Sequence, residues 1–171
     1  MKKKKTGKSA MDAALDFLSA KPRTVRETED KLDSLNYGEY EVYQAVERLK
    51  ELGYLNDLKF AEDFISSRLA TKPVSRRKLK EQLYTHKLPS DCIDEALSTV
   101  TDEVENNNAA LVAEKFYRQF ENLEERERKQ RVMRRLLSRG YDFNAVRQSV
   151  ESIIGSVEDI DCDFEEDLDE E

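Results

Sequence analysis

The sequence predicts an all-α protein: a tandem array of three three-helix repeats, about nine short helices in all, and no sheet. Three observations predict it. Charged residues make up 39% of the 171-residue chain and the hydrophobic set 38%, with five glycines, three prolines and no tryptophan. That balance suits charge-laced helices better than strands. Apolar residues recur at three- and four-residue steps between clear helix stops and starts, and no segment keeps a period of two bounded by turn residues. The pattern also repeats. Leu32, Val42 and Val46 return as Leu83, Ile93 and Leu97, and again, after a one-residue deletion, as Leu137, Val146 and Val150. Units this small bury little core alone, so neighbours should stack and share apolar faces.

Taken in order, the first two helices open on capping boxes. Ser9 precedes Asp12 and Thr24 precedes Glu27 by three residues, so each hydroxyl and carboxylate can satisfy free N–H groups at a helix start. A stripe of Val42, Ala45, Val46, Leu49 and Leu52 makes the third helix, stopped by Gly53. Asp57 is the predicted cap of the fourth, which carries Phe60, Phe64 and Ile65. Ser75, Ser90 and Asn108 are read as caps of the next three. An eighth helix runs near Leu123 to Arg139 and stops at Gly140; Asp142 caps a ninth that ends at Gly155. The boundaries that follow are a flexible basic arm at 1–9, repeats at 10–56, 57–104 and 105–155, and an acidic disordered tail at 156–171.

The connector Gly53-Tyr54-Leu55-Asn56-Asp57 raises a choice. Two apolar residues have no use in a solvated loop, so they either lead into a β-hairpin wing, as in a winged-helix DNA-binding domain, or pack one repeat against the next. Asp57 begins a helical pattern at once and leaves no room for a wing. Glu39, Glu41, Glu47 and Glu51 on the preceding helix also suit phosphate poorly. Tyr54, Leu55, Asp57, Phe60 and Phe64 are therefore assigned to packing between the first two repeats.

Composition narrows the function. No apolar run approaches the roughly 18–20 residues that span a bilayer, and the basic start MKKKKTGKS lacks the apolar stretch of a signal peptide; the expected compartment is the cytoplasm. Cys92 and Cys162 stand apart, and His86 is the one histidine. No metal spacing, nucleophile motif or Gly-rich phosphate loop is present, so neither an enzyme nor a cofactor is expected. Adjacent Glu62 and Asp63 point in different directions on a helix and read as a surface patch. Tyr37, Tyr40, Tyr43, Phe116, Tyr117, Phe120 and Tyr141 could stack on bases, but their helical spacing assigns them to packing.

The net charge of −8 conceals an asymmetry. Ten Asp or Glu and no Lys or Arg fall between Val157 and Glu171; the remainder carries 29 basic and 27 acidic residues. Self-repulsion predicts a disordered, solvating tail, or else a polyanion that competes with phosphate for the protein's own basic surface. Two helices concentrate the cations. One begins at Ser75 with Arg76, Arg77, Lys78 and Lys80; the other holds Arg128, Arg131, Arg134, Arg135 and Arg139, four of them at three- and four-residue steps. These residues are the candidate binding set for the phosphates of DNA or the carboxylates of a protein groove. A self-paired solvated face is the competing reading for the second helix, because Glu121, Glu124, Glu125 and Glu127 precede its arginines.

With ALDFLS (Ala14–Ser19), VERLKELGYLND (Val46–Asp57), KFAEDFISSR (Lys59–Arg68), SRRKLKEQL (Ser75–Leu83) and RRLLSRGYDFNAV (Arg134–Val146), the chain resembles the RecX family of regulators of the RecA recombinase. The likeness covers roughly Ala10 to Ile154. It departs at Lys87, where the family tends to have Gly, and at Pro73-Val74, which replaces a small Gly-containing lead-in. The resemblance implies an elongated, curved, helical protein lying in the groove of the RecA–single-stranded DNA filament. There it would bridge subunits, hinder filament growth, and lower recombinase and ATPase activity. It also implies a RecA nucleoprotein filament as partner, with weak direct DNA binding at most; a monomer is expected because the sequence leaves no obvious apolar face over. A helical-repeat adaptor that binds single-stranded nucleic acid or another acidic protein is the alternative.

Overall fold

A computed structural model of the chain describes residues 7–155, and the lysine run and the acidic tail lie outside them. Nine helices and no strand are present among the described residues: α1 (Ala10–Ala20), α2 (Val25–Ser34), α3 (Glu39–Glu51), α4 (Asp57–Thr71), α5 (Arg76–Thr85), α6 (Ser90–Leu97), α7 (Asp102–Gln119), α8 (Glu125–Ser138) and α9 (Phe143–Ile154). They form two compact units. Among the described residues, one comprises those up to Ile65 together with Lys80–Leu97, and the other comprises Ser66–Leu79 and those from Ser98 to Gly155.

In the first unit, the core gathers Ala10, Ala13 and Ala14 of α1, Leu32 of α2, and Val42, Ala45, Val46 and Leu49 of α3, closed by Leu55. Small side chains on α1 let it approach closely, while the stripe on α3 supplies most of the apolar area. In the second unit Ala109, Val112, Ala113 and Phe116 of α7 meet Val132, Met133 and Leu136 of α8 and Val146 and Val150 of α9.

Most of the local punctuation reads as expected. Both capping boxes form, Ser75 Oγ accepts from Lys78 N–H at 3.1 Å, and Asp142 accepts from Ala145 N–H at 3.0 Å. Gly53, Gly140 and Gly155 all adopt positive φ at helix ends.

Four expectations are corrected. Asn56, not Asp57, caps α4, its side-chain oxygen accepting from Lys59 N–H at 2.9 Å. Asn108 lies inside α7, which starts nearly two turns earlier on the Thr101 cap. The first bond of α6 is accepted by the Pro89 carbonyl, so Ser90 is already helical. The third repeat also keeps register without a deletion: Leu136, fully buried, is the counterpart of Leu32, and the carbonyl of each accepts from the N–H five residues on, Tyr141 or Tyr37.

The aromatic set divides. Tyr37, Phe116 and Tyr141 are buried, and Tyr117 and Phe120 are partly so. Tyr40 (71% exposed) and Tyr43 (63%) are not core residues, because Val42, Ala45, Val46 and Leu49 already fill the buried face of α3 and the tyrosines flank it.

Candidate functional site

Three of the five residues assigned to repeat packing, Asp57, Phe60 and Phe64, meet at the N-terminus of α2. The first helical N–H, that of Val25, has no partner within its own helix. It donates to the Asp57 carboxylate at the start of α4, at 2.9 Å. One residue earlier, the Thr24 hydroxyl accepts from Glu27 N–H and donates to the His86 carbonyl at 2.8 Å. Glu27 in turn meets His86 Nδ1 at 2.9 Å, and the imidazole stands edge-on to Phe60 and Phe64 with centroids 5.1 and 5.4 Å away. Lys87, held at φ 60°, reaches Asp30 at 2.5 Å. Burial, outweighing the bond from Val25, pushes the Asp57 carboxyl above its ordinary range. Leu55 enters the core below, but Tyr54 is 61% exposed. Gly53 turns the chain in the left-handed region, and only one of the next two side chains can face inward.

The same arrangement recurs at the N-terminus of α5, within the second unit. Arg76 N–H donates to Glu105 of α7 at 2.9 Å, and Ser75 N–H donates to the Arg139 carbonyl at 3.0 Å. Thr24 and Ser75 are 51 residues apart; His86 and Arg139 are 53 apart. The middle helix of each of the first two repeats is therefore capped by the repeat that follows it. Gly140 sits so close that an added Cβ would lie 2.6 Å from Ser75 Oγ.

This junction changes the meaning of the first basic cluster. The Arg76 guanidinium pairs with Asp102 and, at 3.2 Å, with Glu105. Hydrogen bonding to Asp102 above all raises its pKa further. Lys80 pairs with Asp94 at 2.5 Å. Lys78 packs its stem beside Gly140. Arg77 alone of the four is exposed without an ion pair among the described residues.

The second cluster divides differently. Arg131 pairs with Glu127 at 2.9 Å on its own helix face. Arg128 stacks its guanidinium 3.4 Å above the Tyr117 ring and donates to the Tyr117 carbonyl, which makes it a packing residue. Arg134 is exposed. Arg135 and Arg139 line a cleft of about 290 Å³ with Lys72, Lys115, Val112 and Phe116. Both guanidiniums lie over the Phe116 ring, at 5.8 and 5.2 Å. Arg139 also donates to the Pro73 carbonyl. The cleft thus has an apolar floor, four cations on its rim and no carboxylate in its lining. Exposed Lys115 and Arg135 make no ion pair among the described residues.

Sequence reading named two of these four cations. Lys72 and Lys115 escaped it because neither lies in a basic run of the sequence.

Enzymatic features are sparse. Cys92 is free and half-buried, and burial first, then the carboxylates of Asp57 and Asp91, push its thiol up, away from a reactive thiolate. Among the described residues no group of three His, Cys, Asp or Glu is placed to hold a metal ion, and no helix is long and apolar enough to cross a membrane.

Family models for the first, second and third three-helix domains of RecX match residues 10–49, 56–97 and 103–150. The chain belongs to the RecX family. It is 34% identical over 141 residues to the regulatory protein RecX of Clostridium perfringens (strain 13 / Type A), covering 81% of this chain and 66% of that one. Against the RecX of Prosthecochloris aestuarii identity is 28%, over 86% of this chain and 95% of the relative. The chain spans only 55% of the RecX proteins of Bacillus pumilus and Bacillus subtilis that it matches. The crystal structure of RecX from Lactobacillus salivarius shares the fold, with a TM-score of 0.72 at 24% identity over 84% of this chain and 93% of that one. RecX is thus a regulatory family built on three helical domains, and this chain carries all three.

Proposed function

We propose that the chain is a non-enzymatic cytoplasmic regulator that binds, as a monomer, in the groove of the RecA–single-stranded DNA filament and lowers recombinase and ATPase activity. The match of all three RecX domains to one tandem array carries this reading. The cleft of Lys72, Lys115, Arg135 and Arg139, with Arg77 and Arg134 as further exposed cations, supplies the surface for carboxylates or phosphates of such a filament. Arg76 and Lys80, already paired with carboxylates of the fold, are left out of that surface.

The test is single-stranded-DNA-dependent ATP hydrolysis by the cognate RecA, titrated with this protein from substoichiometric amounts. Inhibition at low ratios is expected, and its loss in Lys115→Glu/Arg135→Glu. Full inhibition by that folded double variant would remove the cleft from the mechanism. No inhibition by the unaltered protein, even in excess and at low salt, would overturn the RecA reading. Steep salt dependence of binding to DNA alone would then favour the adaptor alternative, a helical-repeat protein for single-stranded nucleic acid or an acidic protein.

A further inference from the structure

We propose that the acidic segment Val157–Glu171 is an intramolecular occupant of the basic cleft in the second unit. This does not rest on the RecA reading. It follows from charge, reach and pattern.

Charge selects the cleft. Arg76 pairs with Asp102 and Glu105, Lys80 with Asp94 and Lys87 with Asp30, whereas exposed Lys115 and Arg135 of the cleft make no ion pair among the described residues. The rim of Lys72, Lys115, Arg135 and Arg139 has no carboxylate in its lining. The chain meanwhile places ten acids and no base in its last fifteen residues. The two charges are of opposite sign, and α9, to whose end the acidic segment is joined, belongs to the same unit as the cleft. Repulsion among ten acids opposes any compact arrangement of that segment alone, and a rim of cations relieves it.

Reach permits the contact. From Gly155, where α9 ends, to Phe164 an extended chain covers about 30 Å. A unit of about 70 residues has a radius of gyration near 11 Å, so the segment can reach any face of it. The short tether keeps the local concentration in the millimolar range, so even a weak site fills.

Pattern fits the floor. Within the acidic run Val157, Ile160, Phe164 and Leu168 recur at three- and four-residue steps. A purely solvating tail has no use for such a stripe, whereas a segment that must seat apolar side chains on Val112 and Phe116 while setting carboxylates against lysine and arginine has one. The segment would thereby exclude other polyanions from the cleft until one displaces it.

The segment carries its own handle, Cys162. A nitroxide on Cys162 of the full chain, with Cys92→Ser to prevent double labelling, should broaden backbone amide signals around Lys72, Val112–Gln119 and Arg135–Arg139 at low salt. The broadening should vanish at about 0.5 M salt, where the screening length falls well below 10 Å, and in Lys115→Glu/Arg135→Glu, whose altered side chains are exposed. Broadening confined to the end of α9, or unchanged by the charge reversal, would overturn the proposal. So would equal broadening of isotope-labelled chains mixed with spin-labelled ones, because the occupant would then be the tail of a second copy.

Discussion

The two junctions between repeats meet one backbone demand by different means. At both, the first N–H of a middle helix finds a carboxylate on the next repeat, and the capping residue bonds a carbonyl in that repeat's turn. The α2 junction does this with side chains: a half-buried Asp57, the Thr24 hydroxyl, and a histidine flanked by two phenylalanines. The α5 junction does it by close approach of backbone, with Gly140 against Ser75 and the longer Glu105 reaching from one turn further along its helix. The bonding pattern thus constrains the backbone and leaves side chains free to diverge. The left-handed turn position shows it, occupied by Asn36, Lys87 and Gly140 in successive repeats.

The largest effect expected from breaking this comparison is at Gly140. Gly140→Ala combines a φ of 88° with a contact that must move, and should destabilise by about 3 kcal/mol. Gly53→Ala, with φ 75° but open space around it, should cost about 1 kcal/mol. Urea midpoints of the two variants measure the difference; equal losses would mean that the Ser75 contact carries nothing.

A smaller effect separates the junctions by pH. The Asp57 carboxyl is held above its ordinary 3.8 by burial. Its contribution is therefore fully present below 3.8 and lost as pH rises through the raised folded value. Measured against Asp57→Asn, which does not titrate there, the native protein should gain relative stability as pH falls through the carboxylate range. A constant difference between the two across pH would show that burial does not govern this group.

Smallest of all should be Lys87→Gly. It relieves a left-handed side chain, worth about 1 kcal/mol, and gives up an ion pair to Asp30 that is more than half exposed on the lysine side, worth less than that. A net change within about 0.5 kcal/mol of zero is expected from thermal or urea unfolding. A clear loss would show that the ion pair, not the turn, holds this position.

How much of this was legible in the sequence depended on distance along the chain. Ser9, Thr24, Ser75 and Asp142 were readable as caps because a cap satisfies N–H groups two or three residues away. Asn56 and Asp57 were confused because both can cap, and what draws Asp57 elsewhere is an N–H on another repeat. Arg76 and Lys80 looked under-compensated because their carboxylates lie 14 to 29 residues onward. The cleft was only half visible: Arg135 and Arg139 stand out in a basic run, whereas Lys72 and Lys115 join them only through tertiary convergence. The Leu137 register slipped by one because Leu136 and Leu137 are adjacent and equally apolar.

Capping by the following repeat also bears on how the chain acquires structure during synthesis. The start of α2 is incomplete until Asp57 and His86 have been made, and the start of α5 until Glu105 and Arg139 have. A chain emerging from its N-terminus thus cannot close a repeat when that repeat's own last residue appears; closure lags by most of one further repeat. Termination between repeats would leave the first N–H of a middle helix to water, and each of the first two repeats is complete only once most of the next has been made.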